Sequence, residues 1–261
     1  MQQNLSDISG KKILIATPVN NREKYLPHFL KHIYSIDYDK KNIQLYFLLN
    51  NSNDNSKNIL FEFMKKYERE YQSIVVDNFN SGLRFNDQRI TSIRNKFTYN
   101  HLSLVRNALL DYARKKEVDY LLSVDSDILV PCNILTKLIN SKKNIVSSLI
   151  YNGYLVEPDK PWKYTNIMRY ESGSIEHISN WYTKNALSLS ESKVVPVDIT
   201  GAISLISKKV LDSGVKYGYH PKGEDIYFSL DAKSKGFQSY CDLSCFSHHI
   251  MSEKQLESIK L

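Results

Sequence analysis

Tyr120-Leu121-Leu122-Ser123-Val124-Asp125-Ser126-Asp127 is the stretch of the chain that decides the fold. Its first five residues form a short apolar run typical of a buried strand, and two carboxylates spaced by one residue follow at once. In open α/β sheets, ligands bind beyond the carboxyl ends of the strands. Because hard divalent cations prefer oxygen ligands, Asp125 and Asp127 are candidates to bind a metal ion together with phosphate oxygens. The alternative is that both aspartates only cap the turn that follows the strand.

The rest of the chain alternates short apolar runs with segments of helical periodicity. The predicted strands cover residues 13–16, 43–49, 73–77, 120–124, 144–150, 194–199, 202–206 and 237–240. The predicted helices cover residues 23–35, 59–71, 101–116, 132–140, 208–213 and 224–235. This alternation indicates the α/β class, with a mostly parallel central sheet and helices on both faces.

Two segments depart from this alternation. Residues 80–100 have no clear period and are predicted to be a long surface loop, which is usually functional or disordered. Residues 151–193 are rich in Tyr, Trp, Gly, Pro and Asn, and are predicted to be an insertion with irregular or antiparallel structure. We expect one domain over residues 1–261, with a Rossmann-like nucleotide-binding half (11–130) and an acceptor-side half (131–251).

Composition excludes several classes of protein. The chain has 261 residues, of which 42% are apolar and 24% charged, as in soluble globular proteins. The net charge of +7 comes from scattered residues rather than from a basic tail, so nucleic acid is not an expected partner. The three cysteines are too few for a disulfide framework. The first twelve residues lack the apolar core of a signal peptide, which predicts a cytoplasmic protein or one attached to the inner face of the membrane.

A second group of candidate residues lies in the predicted helix before the aspartates. Arg106, in Leu104-Val105-Arg106-Asn107, falls in the first two turns of that helix. From there a guanidinium could reach a diphosphate at the same edge of the sheet, since arginine binds phosphate through a planar fork of donors. The alternative is an exposed helical arginine with no ligand.

Two further pairs of residues lie later in the chain. Glu224 and Asp225 open a predicted helix, where one carboxylate can cap the helix and the other can act as a general base. His248 and His249 are adjacent near the C-terminus. Neighbouring strand residues point to opposite faces, so at most one of them can join a metal site with the aspartates, and His249 is the preferred candidate.

Taken together, these residues resemble the nucleotide-sugar glycosyltransferases of the A-type fold, in particular family 2 and its relatives. The resemblance covers about residues 11–251. It rests on Ile13-Leu14-Ile15-Ala16-Thr17-Pro18-Val19-Asn20-Asn21-Arg22, Leu48-Leu49-Asn50-Asn51-Ser52-Asn53-Asp54, Leu104-Val105-Arg106-Asn107, Asp125-Ser126-Asp127, Thr200-Gly201-Ala202 and Glu224-Asp225. The order and spacing of these stretches carry the resemblance more than any one of them.

The resemblance implies a set of site residues. The expected donor-binding set is Thr17, Pro18, Asn20, Arg22, Asn51, Asp77, Asn78, Arg106, Asp125, Ser126, Asp127 and Gly201. The expected ligands of a Mn²⁺ or Mg²⁺ cofactor are Asp127, Asp125, His249 and His248. Asp225 or Glu224 is expected to deprotonate the acceptor, which implies transfer with inversion. The donor is expected to be a UDP- or GDP-sugar, and neither the acceptor nor the oligomeric state is implied.

The chain departs from the family pattern at two places. Asn50 and Asn51 stand where an acidic residue often recognises uracil, so the base remains open. The 151–193 segment has no counterpart, and its aromatic residues Trp162, Tyr164, Trp181 and Tyr182 could either stack on an acceptor or pack under a loop.

Three alternative functions are weighed. A nucleotidyltransferase normally has a glycine-rich phosphate loop after the first strand, and Thr17-Pro18-Val19-Asn20 contains no glycine. A dinucleotide oxidoreductase is disfavoured for the same reason. A non-catalytic module that binds sugar nucleotides or glycans would keep the fold without turnover.

Overall fold

A computed structural model describes residues 8–79, 96–152, 164–171, 174–178 and 193–258. The strands of these residues are β1 (Ile13–Val19), β2 (Ile43–Asn50), β3 (Ser73–Phe79), β4 (Tyr120–Val124), β5 (Ile128–Leu129), β6 (Ile145–Leu149), β7 (Tyr151–Asn152), β8 (Tyr164–Thr165), β9 (Ile167–Glu171), β10 (Ser174–His177), β11 (Val194–Val197), β12 (Ile199–Thr200), β13 (Ile203–Ser207), β14 (Ser239–Phe246) and β15 (His248–His249). The helices are α1 (Leu26–Tyr34), α2 (Ser56–Tyr67), α3 (Lys96–Lys115), α4 (Ile134–Asn140), α5 (Lys208–Asp212), α6 (Glu224–Ser234) and α7 (Glu253–Ser258), with a 3₁₀ turn at Lys40–Asn42.

The central sheet has eight strands in the order β11-β14-β6-β13-β4-β1-β2-β3. Strands β3, β2, β1 and β4 pair in parallel, and β14 pairs in parallel with β6. Strand β13 runs antiparallel between β4 and β6, and β11 runs antiparallel to β14. The predicted, mostly parallel sheet is therefore confirmed, with two antiparallel strands in its second half.

Helices cover both faces of the sheet because its central strands are apolar on both sides. Every residue of β2 and of β6 is buried, which is the pattern of a strand covered above and below. On one face, α1, α2 and α4 contribute Leu26, Phe29, Leu60, Leu135 and Leu138 to the core. On the other face, α3, α5 and α6 contribute Val105, Leu109, Val210, Leu211 and Phe228.

Some element boundaries differ from the predicted ones for local reasons. Helix α1 begins at Leu26 rather than at residue 23, with a proline in its first turn, where a missing N–H costs no helical hydrogen bond. Strand β14 continues to Phe246 rather than ending at residue 240. Asp242 and Ser244 interrupt its apolar pattern, but Asp242 accepts hydrogen bonds from the backbone N–H and the hydroxyl of Ser244 where the strand register shifts.

The described part of the 151–193 segment is antiparallel, as predicted. Strand β7 pairs with β8, and β9 pairs with both β10 and β12 in a separate three-stranded sheet. The Tyr164 ring lies 4.5 Å from the His177 ring and is packed there. Trp162, Trp181 and Tyr182 lie outside the described residues, as do residues 80–95 of the loop predicted over 80–100. Helix α3 begins within the last part of that predicted loop, at Lys96.

Across the described ranges, every helix is either too short or too polar to cross a bilayer.

Candidate active site

The carboxyl edge of the sheet opens between its two most central parallel strands. Pairing of β1 with β4 ends at Ala16 and Ser123, whereas β1 stays paired with β2 as far as Val19. The residues that follow the last β1–β4 pair are therefore Thr17 and Pro18 on one side and Val124 and Asp125 on the other. Because β4 does not pair with Pro18, the missing proline N–H costs no hydrogen bond between β1 and β4.

Asp127 is held on one side of this opening by Arg22 and His249. Arg22 Nη2 lies 3.2 Å from Asp127 Oδ2, and both side chains are almost fully buried. His249 Nε2 lies 3.7 Å from Asp127 Oδ1. Burial alone would raise the pKa of Asp127, but His249 and Arg22 together lower it below its usual value. Asp127 is therefore ionised.

Backbone contacts fix the two partners of Asp127. The Arg22 N–H donates to Ser56 Oγ at the start of α2 (2.8 Å), and Arg22 Nη1 donates to the Asn21 carbonyl. Strand β15 pairs antiparallel with β5, and the Ile250 N–H donates to the Asp127 carbonyl (2.8 Å). The C-terminal histidine pair thus folds back onto the aspartates.

The two histidines point in different directions, as expected for neighbours in a strand. His249 Nδ1 lies 2.6 Å from Asn152 Oδ1, which leaves Nε2 directed at Asp127. The His248 ring instead packs edge-on against Phe246, at 4.8 Å between ring centres. The structure therefore brings His249 to the aspartates and places His248 away from them, which corrects the inclusion of His248 among the candidate ligands.

Arg106 lies at the centre of the other carboxylates. Its Nε is 3.0 Å from Glu224 Oε1, and its Nη2 is 3.0 Å from Asp125 Oδ2. Asp225 Oδ1 is 3.8 Å from Arg106 Nε. The predicted role of Arg106 was to bind a diphosphate, but here its guanidinium joins the strand-end aspartate to both acids of α6.

The electrostatics of this cluster follow from one cation facing three anions. Burial raises the pKa of Asp125, an effect that Arg106 opposes and the Asp127 charge reinforces. Burial would lower the pKa of Arg106, but the three carboxylates raise it well above its usual value. Asp125 therefore binds a proton more strongly than an isolated carboxylate does.

Asn107 and Gly223 place the two acids of α6. Asn107 Nδ2 donates to the Tyr217 carbonyl (3.0 Å), and the Tyr217 N–H donates to Asn107 Oδ1 (2.8 Å), so one amide fixes the loop before α6. Gly223 precedes the helix at φ +140°, a conformation that favours glycine. Glu224 is nearly fully buried, whereas the Asp225 side chain is 28% exposed.

Gly201 packs directly against the Asp225 carboxylate. A Cβ atom at position 201 would stand 2.3 Å from Asp225 Oδ2, so only glycine permits this approach. The next residue, Ala202, has φ +66°, and its carbonyl accepts the Asp125 N–H (2.9 Å). The predicted donor-binding Gly201 thus contacts the catalytic candidate Asp225.

A pocket of about 300 Å³ lies beside this edge, at the ends of β2 and β3. Its lining residues are Leu49, Asn51, Ser52, Lys57, Asn78 and Phe79. The structure therefore brings the predicted Asn51 and Asn78 to one pocket, with Phe79 and Lys57 as additional members. Asp77 is predicted for the same region, but its Oδ2 accepts the Tyr46 hydroxyl (3.2 Å) on the neighbouring strand.

Several buried polar atoms around the opening lack a hydrogen-bond partner within the described part of the chain. These atoms are Thr17 Oγ1, Asn20 Oδ1, Arg22 Nε and Asp125 Oδ1. Buried polar groups are nearly always satisfied, so a group of such atoms at one edge indicates a bound ligand. Asn20 Nδ2 itself donates to the Asn50 carbonyl (2.5 Å), which ties the β1 and β2 loops together. Ser126 is buried between the two aspartates.

The residues at this edge fit a divalent cation only together with a ligand. Among the residues that the structure covers, no three His, Cys, Asp or Glu side chains are grouped closely enough to hold a metal by themselves. Asp127 Oδ1 and His249 Nε2 are 3.7 Å apart, and two ligands of one ion at about 2.1 Å each stand roughly 3–4 Å apart. Asp125 Oδ1 is an additional oxygen without a partner. Mg²⁺ is often held by one or two carboxylates plus substrate phosphates, which is the arrangement this donor set suits.

The sequence missed four residues of this region. Asn107 is predicted only as part of a motif, Lys57 and Phe79 lie just outside the predicted helix 59–71 and strand 73–77, and Asn152 lies in the predicted insertion over 151–193. Phe79 directly follows the predicted Asp77 and Asn78, so its position at the end of a strand is a signal that could identify it as a site residue. Nothing in the sequence indicates that Lys57 or Asn152 reaches the site.

Comparison with known proteins gives the same picture at the level of family and fold. The Anp1 family matches residues 2–212. Procollagen galactosyltransferase 2 of Homo sapiens is 27% identical over 146 residues, which cover 56% of this chain. A glycosyltransferase 25 family member of Aedes aegypti is 24% identical over 140 residues, which cover 53% of this chain. Both alignments span only 23% of the relative's length.

Solved structures share the fold at low identity. The mannosyltransferase PcManGT of Pyrobaculum calidifontis, solved in complex with GDP-Man and Mn²⁺, superposes with a TM-score of 0.58 at 12% identity. The superposition covers 94% of this chain and 58% of that one. The chain belongs to the Anp1 family and has the A-type fold of nucleotide-sugar glycosyltransferases.

Proposed function

We propose that this protein is a metal-dependent, inverting glycosyltransferase that moves a sugar from a nucleotide-diphosphate sugar to an acceptor hydroxyl. The proposal is supported by the family, by the fold and by the residues at the carboxyl edge of the sheet. The relatives named above are a galactosyltransferase and a mannosyltransferase, so the sugar is not part of the proposal.

One observation carries the proposal: four carboxylates, those of Asp125, Asp127, Glu224 and Asp225, converge on this edge of the sheet. Asp127 is ionised, and Asp125 Oδ1 is buried without a hydrogen-bond partner among the described residues. Hard divalent cations prefer such oxygen ligands. A bound cation would let a diphosphate approach an edge whose carboxylates would otherwise repel it.

The donor would lie across the opening between β1 and β4. The 300 Å³ pocket is large enough for a base and ribose, with Asn51 and Asn78 as hydrogen-bonding groups and Phe79 as an apolar wall. Thr17 Oγ1 and Arg22 Nε, which lack a hydrogen-bond partner among the described residues, are groups that could bind the diphosphate. Carbonyl and amide groups pair with several bases, so the pocket suits either uracil or guanine.

Asp127 and His249 would hold Mn²⁺ or Mg²⁺ together with the donor diphosphate, and Asp125 is the carboxylate beside them. When bound, such an ion offsets the charge of a departing diphosphate. Arg106 would not contact the donor in this scheme, since Glu224 and Asp125 already engage its guanidinium. Its role would be to hold the carboxylates in position.

Asp225 would be the general base. It is the more exposed acid of the pair, so an acceptor can reach it, whereas Glu224 is buried against Arg106. As the acceptor oxygen bonds to the anomeric carbon, its proton passes to Asp225. The bond from that carbon to the diphosphate breaks, and the nucleoside diphosphate leaves with the electron pair. A single displacement of this kind inverts the anomeric centre.

The metal assignment is tested with Asp127→Ala. We expect this variant to lose Mn²⁺-dependent hydrolysis and transfer of UDP- and GDP-sugars, and to lose the Mn²⁺-dependent increase in melting temperature given by UDP or GDP. Asp119→Asn is the matched control, because Asp119 lies at the amino end of β4 and accepts the Lys12 N–H there. Full metal-dependent activity of Asp127→Ala would refute the assignment.

The base assignment is tested by comparing Asp225→Asn with Glu224→Gln. Loss of a general base lowers turnover by about 10²- to 10⁴-fold. We expect Asp225→Asn to show this loss with unchanged donor affinity, and Glu224→Gln to act mainly on stability. A nucleotidyltransferase would instead release pyrophosphate from a nucleoside triphosphate, and a non-catalytic module would bind the donor without turnover in any variant.

A further inference from the structure

Asn166 lies in the segment over residues 151–193, to which the sequence analysis gives no definite role, yet it contacts the platform beneath the catalytic acids. Here the platform means residues 200–202. Asn166 is 5% exposed, and all of its hydrogen bonds are with other parts of the protein. Its backbone N–H donates to the Ile150 carbonyl (3.0 Å), and its Oδ1 accepts the Ile150 N–H (2.9 Å). Asn166 is therefore anchored to the end of β6.

The amide nitrogen of Asn166 is directed at the platform. Asn166 Nδ2 lies 3.3 Å from the Gly201 carbonyl, 3.4 Å from Thr200 Oγ1 and 3.1 Å from the Ser148 carbonyl. One side chain thus joins the carboxyl end of β6 to the platform. An amide has two N–H donors, so these acceptors share the donors and hold the group from several directions.

The platform contacts both acidic centres on its other side. Gly201 packs against Asp225 so closely that a Cβ would stand 2.3 Å from Asp225 Oδ2. The Ala202 carbonyl accepts the Asp125 N–H, and Ala202 itself is held at φ +66°, which a non-glycine residue adopts only when its surroundings impose it. A displacement of the platform would therefore shift Asp225 and Asp125 together.

We infer that Asn166 is a positioning residue for the Asp225 carboxylate, acting through Gly201. The inference rests on the proposed function, in which Asp225 is the general base. Asn166 does not touch the substrate in this scheme. It keeps Gly201 in the place where Asp225 rests on it, and thereby sets the distance from the carboxylate to the acceptor hydroxyl. This assigns a function to part of the inserted segment.

The test uses Asn166→Asp in the full chain. Aspartate is nearly isosteric and still accepts the Ile150 N–H, but it cannot donate to Gly201 and repels that carbonyl. A misplacement of about 1 Å can lower turnover by roughly 100-fold, so we expect kcat to fall by about that factor with unchanged KM for the donor. Gly201→Ala, which displaces Asp225 from the other side, is expected to give the same pattern.

Thr165→Val is the matched control. Thr165 is the buried neighbour of Asn166, and its hydroxyl donates to the Ile178 carbonyl (2.7 Å) rather than to the platform. We expect Thr165→Val to lower the melting temperature while kcat stays within about twofold. An equal loss of kcat in Thr165→Val would mean that any damage to the segment lowers turnover, and would overturn the positioning role.

A double-mutant cycle and a structural measurement complete the test. If Asn166 acts through Asp225, Asn166→Asp lowers kcat in the wild-type background and has no further effect in Asp225→Asn. Crystal structures of the wild type and Asn166→Asp are expected to show the Asp225 carboxylate displaced by more than about 1 Å. An unmoved carboxylate, or additive losses in the cycle, would overturn the inference. The crystal structures decide it even if the wild type shows no turnover, which would count against the proposed function instead.

Discussion

Arg22 and Arg106 are both buried at the same edge of the sheet, but they face different numbers of carboxylates. The Arg22 guanidinium pairs with one carboxylate, that of Asp127, and also donates to the Asn21 carbonyl and lies over the Tyr25 ring. Arg106 contacts Asp125 and Glu224 at 3.0 Å each, with Asp225 at 3.8 Å. One arginine therefore pairs with a single acid, and the other is shared among three.

This difference predicts different roles for the two arginines, ligand binding for one and stability of the folded state for the other. The Arg22 Nε atom is buried without a partner among the described residues, so Arg22 has a donor left for a ligand. Arg106 joins β4 to α6, two elements about 100 residues apart in the chain, and its three partners occupy it. We therefore expect Arg22 to contribute to donor affinity and Arg106 to the folded state.

The largest effect on stability is expected for Arg106→Met. The variant leaves three carboxylates without their cation, and removal of one partner from a buried ion pair typically costs about 3–5 kcal/mol. We expect the free energy of unfolding to fall by that amount in urea denaturation at pH 7. The loss should be smaller at pH 5, because the pKa of Asp125 is already raised in the folded protein and protonation removes part of the repulsion.

Arg114→Met is a suitable control for Arg106→Met. Arg114 lies on the same helix but pairs with the exposed Asp111 and donates to the Leu211 and Val215 carbonyls rather than to the carboxylate cluster. Equal destabilisation by the two substitutions would mean that the carboxylate cluster is not what makes Arg106 necessary.

A smaller loss of stability is expected for Arg22→Met. Removal of a hydrogen bond to a charged group costs about 1.5–3 kcal/mol, and His249 still faces Asp127 in this variant. The sharper readout is nucleotide binding: we expect UDP or GDP with Mn²⁺ to bind at least tenfold more weakly by calorimetry. Unchanged nucleotide affinity would contradict the division between the two arginines.

The fold could be predicted from the sequence because its signals are local. Strands such as β2 and β6 are continuous apolar runs, and helices such as α1 carry apolar residues at helical spacing, so both appear in the periodicity. The strand order and the antiparallel insertion of β13 depend on long-range pairing, which no local pattern specifies. The predicted strand over 237–240 ends before Asp242 because a polar residue there is typical of a turn. In the structure Asp242 accepts the Ser244 N–H, and strand β14 continues to Phe246.

The site could be predicted only in part, for a related reason. Asp125, Asp127 and the acids of α6 were found because each stands at the end of an element. The partners that organise them come from distant segments: Asn152 orients His249, and Asn166 holds the platform. Arg106 was found as a residue, but its contacts with the carboxylates depend on how α3 and α6 pack, which the sequence does not specify.

A moderate effect is expected for Asn107→Ala, which tests whether the loop before α6 is fixed from α3. The substitution removes two hydrogen bonds with the Tyr217 backbone, each worth about 0.5–1.5 kcal/mol. We expect a loss of about 1–3 kcal/mol in urea denaturation, together with reduced kcat. Asn58→Ala is the control, since Asn58 is exposed and bonds only with Asn55 three residues earlier. A loss no greater than that of the control would show that α6 needs no such support.

The smallest effect is expected for Lys57→Met, which concerns donor binding, the role expected of Arg22 rather than of Arg106. Lys57 supplies the positive charge in the lining of the 300 Å³ pocket, and its ammonium group can donate to carbonyl oxygens of a base. Because Lys57 is exposed, water competes for that interaction, and we expect UDP or GDP to bind less than about tenfold more weakly by calorimetry.

Lys65→Met separates this local contact from the general effect of charge. Lys65 lies in the last turn of the same helix, so its removal changes the net charge equally without altering the pocket. If the Lys57 ammonium group donates to a carbonyl of the base, Lys57→Met weakens the binding of UDP and GDP. The affinity for ADP, whose base has no carbonyl, then stays the same as in the wild type. If both substitutions weaken the binding of all three nucleotides alike, Lys57 acts only through its charge. Discrimination among bases must then come from Asn51 and Asn78.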